Sequence, residues 1–322
     1  MKRAFVAVLL ACAGALTSAQ GERIPRVAWV LIGTPEAGRL STEAMRAGLV
    51  DEGFVDGRNV VLDLRFAAGR PERYAELFAD LLRSPADALV AAGFQGIAAA
   101  LDASGGRIPV IGYFCGNDVR QMVATFARPG GNITGVSCLS GELAVKRLGL
   151  LLEAMPKLRR VGLMYDPSVP GKGQELADIR AAAAAVGVIV FAMATRTTDD
   201  LPMVFESLER EQVGALLISE DLFTFGNRAR IMELATRYRI PTISAYREYV
   251  TDGGVFSYGA SLNERVRQLG RYVGRTLHGM KPAELPIDQP THFEFVINAR
   301  AARAMGVAIP HSLRLRADTV ID

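Results

Sequence analysis

From Arg26 onward, short apolar runs alternate with stretches of helical periodicity. Val27–Ile32 is continuously apolar, as expected of a strand buried on both faces, and it stops at Gly33-Thr34-Pro35. Ala44, Met45, Gly48 and Leu49 then share one side of a predicted helix. Val60–Phe66 alternates as a strand and Pro71–Arg83 reads as a helix. Further strands are predicted at Ala88–Ala91, closed by Gly93, at Ile108–Phe114 and at Ile133–Ser137. Strands that alternate with helices imply right-handed crossovers and a parallel sheet.

The same rhythm then starts again. Ala144, Leu148, Leu151, Leu152 and Met155 form one apolar helical stripe. Strands are predicted at Arg160–Tyr165, Val188–Ala194, Ala215–Ser219 and Pro241–Ser244, separated by helices near Gln174–Val186, Asp200–Gln212 and Asn227–Arg239. Two comparable α/β units in one chain suggest two lobes facing each other across a cleft. In open parallel sheets ligands bind beyond the carboxyl ends of the strands. In the first unit those ends are Gly33–Gly38, Gly93–Gln95, Cys115–Asp118 and Ser137–Ser140; in the second they are Tyr165–Ser168, Ser219–Phe223 and Ala245–Glu248. Helix N-termini follow these loops, so free backbone N–H groups can hold an anion there. The alternative for any one Ser or Asp is that it merely caps its helix.

Composition narrows the function classes. Half of the 322 residues are apolar and 22% are charged, which supports a large buried core rather than disorder. The formal net charge is only +3 and the basic residues are dispersed, so no nucleic-acid footprint is present. Lys2 and Arg3, an apolar run from Ala4 to Leu16, and the small residues Thr17, Ser18 and Ala19 have the layout of a secretory signal over residues 1–19. That run is shorter than the roughly 20 residues of a membrane span. Leu9-Leu10-Ala11-Cys12 offers a second reading, a lipoprotein cleavage box that would leave lipid on Cys12; cleavage after Ala19 is preferred because the alternative signal is unusually short. Cleavage there leaves Cys115 and Cys138, either a disulfide in an oxidising compartment or two separate buried thiols.

Catalytic signatures are missing. The chain has no Gly-x-Ser-x-Gly elbow, no phosphate-binding Gly-x-x-x-x-Gly-Lys-Ser/Thr loop and no His-Glu-x-x-His helix. His278, His292 and His311 stand apart from the cysteines, so neither metal nor cofactor is expected. Gly33 and Gly38 do not make a dinucleotide fingerprint.

Several phrases together carry a family resemblance. Gly48-Leu49 with Glu52-Gly53-Phe54-Val55-Asp56-Gly57-Arg58-Asn59-Val60 is similar to the early signature of ABC-transporter substrate-binding proteins related to tryptophan and tyrosine binders. Ala127-Arg128-Pro129-Gly130-Gly131-Asn132-Ile133-Thr134-Gly135 is the most specific phrase, followed by Lys146-Arg147-Leu148, Gly253-Gly254 and Ser257-Tyr258-Gly259. Lys281–Thr291, Phe293-Glu294, Val296-Ile297-Asn298 and Arg316-Ala317-Asp318 complete it, so the resemblance spans roughly residues 24 to 322.

The resemblance implies an α/β, type I periplasmic-binding-protein fold, with two Rossmann-like lobes joined by hinge strands. The first lobe is expected to take residues 21–139 plus 259–288, and the second 140–258 plus 289–322. The helix carrying Leu262, Val266, Leu269, Val273 and Leu277 is expected to pack on the first lobe. Characterised relatives resemble aromatic amino acid carriers. One departure stands in the loop after the fourth strand: the family's Gly-Asp-Pro-Val reads Gly116-Asn117-Asp118-Val119 here, so the ligand is free to differ. Cys115 and Cys138 follow neighbouring strands about 4.8 Å apart, within bridging range.

The expected activity is binding without catalysis, by a periplasmic monomer that serves an ABC-transporter membrane permease. An exported sensor subunit for a membrane receptor and an exported α/β hydrolase are the alternatives. Ser137 and Ser140 are the candidates for an anionic ligand end, and Asp118, Glu142 and Asp221 for a cationic one. Phe94, Phe114, Phe223 and Tyr246 are candidate walls, with Thr34, Gln95, Asp166 and Ser219 at the same strand ends.

Overall fold

A computed structural model describes residues 23–115, 119–139 and 141–322. The chain builds two sheets. The first contains β1 (Arg26–Leu31), β2 (Val61–Phe66), β3 (Ala88–Ala92), β4 (Val110–Phe114) and β5 (Ile133–Ser137), all parallel, in the order β2-β1-β3-β4-β5. The second contains β6 (Arg160–Tyr165), β7 (Ile189–Ala194), β8 (Ala215–Ile218), β9 (Thr242–Ser244), β10 (Phe256–Gly259), β11 (Glu294–Asn298) and β12 (Thr319–Ile321). Its order is β12-β11-β10-β9-β8-β6-β7.

Helices alternate with these strands. In the first unit they are α1 (Arg39–Asp51), α2 (Tyr74–Leu81), α3 (Gly93–Ser104) and α4 (Val119–Met122). In the second they are α5 (Ala144–Ala154), α6 (Lys172–Ala184), α7 (Asp200–Arg210), α8 (Leu222–Gly226), α9 (Arg228–Arg237) and α10 (Arg247–Thr251). The chain then forms α11 (Leu262–Leu277), and later α12 (Ala299–Ala304) and α13 (His311–Arg316).

The segment Pro71–Arg83, expected as one helix, is a 3-10 turn over Pro71–Arg73 followed by α2. α8 was not expected at all. A third difference is the antiparallel pairing of β10 with β11, in which Gly259 faces Glu294. β10 ends where the chain leaves the second sheet, and β11 begins at that same end on the way back. A returning strand with no crossover can only run the other way.

The two sheet units are joined after β5, after β10 and before β11. On its excursion the chain lays α11 against α1 and the first sheet. The close approach rests on two glycines: a Cβ on Gly48 would lie 1.9 Å from the Arg267 carbonyl oxygen, and one on Gly270 would lie 2.5 Å from the Met45 oxygen. Only hydrogen at both positions lets the helix backbones come this near. Asp288 then pairs beside β5, donating its N–H to Gly135 O at 3.0 Å and accepting from Ser137 N at 2.7 Å.

Candidate functional site

The carboxyl ends of the two sheets meet. One buried apolar cluster runs without a break from Trp29, Tyr113 and Cys138 of the first unit to Phe223, Tyr246 and Tyr249 of the second. Polar contacts join the same ends. The Tyr246 hydroxyl lies 2.9 Å from the Tyr113 hydroxyl and 3.0 Å from Cys115 Sγ. Gln95 Nε2 donates to Asp166 Oδ2 at 3.3 Å, and Asn227 Nδ2 to Gly69 O at 2.9 Å. A cavity lies between them and draws its lining from both units.

On the first side, β1 contributes Trp29 and Leu31, and the following turn contributes Gly33, Ala37 and Gly38. α3 begins at Gly93, which adopts φ +64° and sits where a Cβ would come within 3.0 Å of Leu222. Phe94 and Gln95 follow on the cavity wall. Tyr113 and Cys115, at the end of β4, and Leu262, Val266 and Leu269 of α11 complete this side.

The second side is built from the segment after β8 and the start of α10. Asp221 caps α8: its Oδ1 accepts from Thr224 N at 2.7 Å, and the Thr224 hydroxyl accepts from Asp221 N at 3.2 Å. This reciprocal pair satisfies two backbone donors at the helix start. The helix then presents Leu222 and Phe225, three residues apart, to the cavity. Arg228 lies over the Phe225 ring at 4.6 Å, with its Nε 3.0 Å from Asp252 Oδ2. Tyr246 meets Phe225 edge-on at 5.6 Å between centroids.

Behind this wall is a buried ionic cluster. Lys172 Nζ donates to Glu175 Oε2 at 2.8 Å, to Ser219 Oγ at 2.8 Å and to Glu220 O at 2.7 Å. Ser219 Oγ in turn donates to Glu175 Oε1 at 2.7 Å. Burial works against the Lys172 ammonium, but Glu175, Asp221 and Glu220 outweigh it and hold its pKa above the ordinary lysine value. Burial, with the neighbouring Asp221, pushes the Glu220 carboxyl well above the usual range. Asp221 is pushed up to about 6, mainly by burial, against the pull of Lys172 and its backbone donors. Burial also raises the phenols of Tyr113 and Tyr246.

Among the residues singled out from the sequence, Phe94, Gln95, Asp221 and Tyr246 line this cavity, together with Cys115. Phe114 does not: side chains alternate along a strand, so β4 turns Tyr113 to the cavity and Phe114 to the opposite core with Ile97. Phe223 is buried in the cluster that joins the units, and α8 instead presents Phe225. Ser219 is taken up by Lys172 and Glu175. Ser137 Oγ accepts from Leu139 N and serves its own turn, whereas Asp166 accepts from Ser168 N and Oγ with one oxygen and from Gln95 of the other unit with the second. Thr34 is an exposed turn residue accepting from Ala37 N at 3.3 Å, and Glu142 is exposed in a turn. Asp118, Ser140 and the segment 1–19 with Cys12 lie outside the described residues.

Cys115 and Cys138 are paired across β4 and β5, with Cα atoms 5.3 Å apart. The lining residues that sequence reasoning missed are Trp29, Tyr113, Glu220, Phe225 and Arg228. Glu220 stood inside the strand end Ser219–Phe223, so location alone was enough to nominate it. Trp29 is interior to a strand, and nothing local marks it. Among the described residues no three His, Cys, Asp or Glu side chains converge to hold a metal ion, and no helix is long and apolar enough to cross a membrane.

Comparison with known proteins adds the following. Residues 34–321 match the family described as ABC transporter substrate binding protein. Among solved structures, a conserved domain protein from Vibrio cholerae is 22% identical with a TM-score of 0.84, covering 92% of this chain and 100% of its own. The ABC domain from Streptococcus pneumoniae in complex with L-Trp is 21% identical with a TM-score of 0.83, covering 93% and 100%. A solute-binding protein from Agrobacterium vitis bound with α-D-tagatopyranose is 15% identical with a TM-score of 0.64, covering 89% and 100%. No sequence among curated proteins matches the chain.

Proposed function

Because the chain belongs to the family of ABC transporter substrate-binding proteins, we propose that it binds a small molecule between its sheet units and presents the closed form to a membrane permease. In this reading the lobes are residues 21–139 plus 259–288 and 140–258 plus 289–322, residues 1–19 are an export signal, and the mature protein is a non-catalytic monomer of the periplasm.

The observation that carries the reading is the shared lining of the cavity, with Trp29 and Phe94 from one unit and Phe225 and Tyr246 from the other. A ligand that touches both walls satisfies both only when the lobes are together, so it shifts the population toward closure by its differential affinity. The contacts of Tyr246 with Tyr113 and Cys115 supply a latch for that state. We further propose that Cys115 and Cys138 are oxidised in the exported protein. Thiol titration of denatured mature protein is then expected to find free thiols only after reduction.

The test of function is a thermal-shift screen of protein stripped of carried-over ligand by partial unfolding and refolding. Amino acids, aromatic acids and amines, nucleosides and sugars form the panel. A ligand specific for the folded state adds about 2.7 kcal/mol at a hundredfold excess over its dissociation constant. A melting temperature that no compound class raises counts against transport.

A further inference from the structure

The cavity's polar groups are unequal in what they leave open. Glu220 lines the cavity, the residue is 4% exposed, and its Oε2 meets no hydrogen-bond partner. Its backbone is held, since its carbonyl accepts from Lys172 Nζ at 2.7 Å. Asp221 beside it is engaged at both oxygens, Oδ1 with Thr224 N and Oδ2 with Asp166 N at 3.1 Å. Among the described residues, Arg228 is the only lysine or arginine on the cavity lining. It is ion-paired with Asp252, donates to Phe225 O at 3.2 Å and lies over the Phe225 ring, although its Nε makes no hydrogen bond. The remaining lining is largely apolar or aromatic, with Trp29, Leu31, Phe94, Phe225, Val266 and Leu269 as its larger members.

A buried acceptor left without a donor is a destabilising arrangement, retained where something else supplies the donor. An apolar enclosure with one open carboxyl suits a ligand with a donor-rich cationic end and a ring-sized body. We propose that the cavity takes an aromatic amine, with its ammonium hydrogen-bonded to Glu220, and that no carboxylate on the ligand is required. The inference rests on the reading of this cleft as the binding site.

A proton accompanies the ligand. Asp221 and Glu248 face Glu220 as acids, Lys172 and Arg147 as cations, and Tyr113, Tyr246 and Tyr249 as phenols. Burial and the acids push the Glu220 carboxyl well above the usual range in the empty cavity, against the pull of the two cations. An entering ammonium adds a positive charge beside it, so Glu220 releases its proton to solvent and the amine stays protonated. Binding therefore tightens as pH rises, until Glu220 is already ionised in the empty protein. Asp221 titrates near 6 and adds to the release. The variants separate the two: Asp221→Asn keeps a Glu220 proton to release, and Glu220→Gln does not.

The experiment is titration calorimetry of the stripped full-length mature protein at pH 6.5, in two buffers of different ionisation enthalpy. The probes are tryptamine, phenethylamine, indole-3-acetate, phenylacetate, L-Trp and L-Phe. The amines are expected to bind with proton release, the acids not to bind, and the amino acids to bind no tighter than the matching amines. Glu220→Gln is expected to weaken amine binding about tenfold or more, the scale of one charge-assisted hydrogen bond. Binding of an acid in preference to its amine, binding of L-Trp without tryptamine, or amine binding without proton release each overturns the proposal. The last arm needs only the wild-type protein, so it stands even where the variant fails to fold. If all six probes fail while a sugar or nucleoside raises the melting temperature, this inference falls and the binding function survives. If no class of compound binds, both fall.

Discussion

The two sheet units handle charge in opposite ways. The first leaves its ion pairs exposed or half-buried: Arg267 and Arg271 both reach Asp51 at 2.8 Å and Arg65 reaches Asp80 at 3.0 Å, and even Arg26 with Asp63 and Arg265 with Asp288 keep part of each partner in solvent. The second buries its strongest pair, Lys172 with Glu175, at 2% and 4% side-chain exposure and ties it to Ser219 and Glu220. Exposed pairs contribute little because water already solvates both partners and salt screens them. A buried pair must offset a desolvation penalty, and is at best neutral against a packed apolar pair. The location of the second pair is therefore informative. It sits behind the cavity wall, where its ammonium fixes the backbone of Glu220, the cavity-lining acid with a carboxyl oxygen left open.

The sharpest way to break that comparison is to remove one buried partner. Lys172→Met leaves Glu175 in the interior without its cation and takes a donor from Ser219 and Glu220. The expected loss is about 3–5 kcal/mol of unfolding free energy in a denaturant titration. Adding Glu175→Leu is expected to restore part of it, because Glu175 is then no longer buried without its cation, while Arg147 and Asp221 still lose a charged neighbour. A double variant as unstable as the single one would show that the cluster matters through packing alone.

The first unit is vulnerable at its helix contact. Gly48→Ala puts a methyl group 1.9 Å from the Arg267 oxygen and forces α1 away from α11. Overpacking of this kind typically costs about 1–3 kcal/mol, here expected at the upper end because a backbone must move. Thermal unfolding is the check, and a variant as stable as wild type would mean that the two helices do not hold this spacing in solution.

The pH dependence belongs to the second unit. Asp221 has a folded pKa of about 6 against an ordinary value of 3.8, so the folded state binds its proton more tightly. Its contribution is complete below pH 3.8 and is lost as pH rises through 6, with a slope of up to about 1.4 kcal/mol per pH unit. Asp221→Asn keeps an acceptor for Thr224 N and removes that slope. Denaturant midpoints measured between pH 4 and 7 are expected to be flatter for the variant. Equal slopes would assign the effect to Glu220 or to other buried carboxyls.

How far these features were legible follows from the range of the forces that make them. Continuous apolar runs such as Val27–Ile32 and the stripe from Ala144 to Met155 report burial directly, so the alternation of strands and helices could be read locally. Several of the nominated strand ends, Gly33–Gly38, Gly93–Gln95 and Ser219–Phe223 among them, contribute residues to the cavity lining. The direction of individual side chains was less accessible. Tyr113 and Phe114 are adjacent and similar, and only the placement of the sheet between its helix layers decides which one faces the cavity. Phe225 was missed because α8 spans five residues, too short for its period to register. The Lys172 cluster joins residues 44 to 48 positions apart in sequence, and no local pattern announces it.

The smallest effect is expected at Asp51, and it tests the comparison from the other side. Hydrogen bonds from Arg267 and Arg271 hold its carboxyl at about 2, below the ordinary 3.8. A depressed acid stabilises the fold above its unfolded pKa, and that contribution fades only as pH falls through the folded value. At neutral pH the site is at the surface, so solvent screening leaves little for the pair to contribute. Asp51→Asn is therefore expected to leave the melting temperature at pH 7 nearly unchanged, with any small loss clearest at low salt and vanishing as pH falls through about 2. A loss at neutral pH as large as that of Lys172→Met would mean that the outer pairs clamp α11 to α1 as firmly as the inner pair holds the cavity wall. The contrast between the units would then lie in position and not in energy.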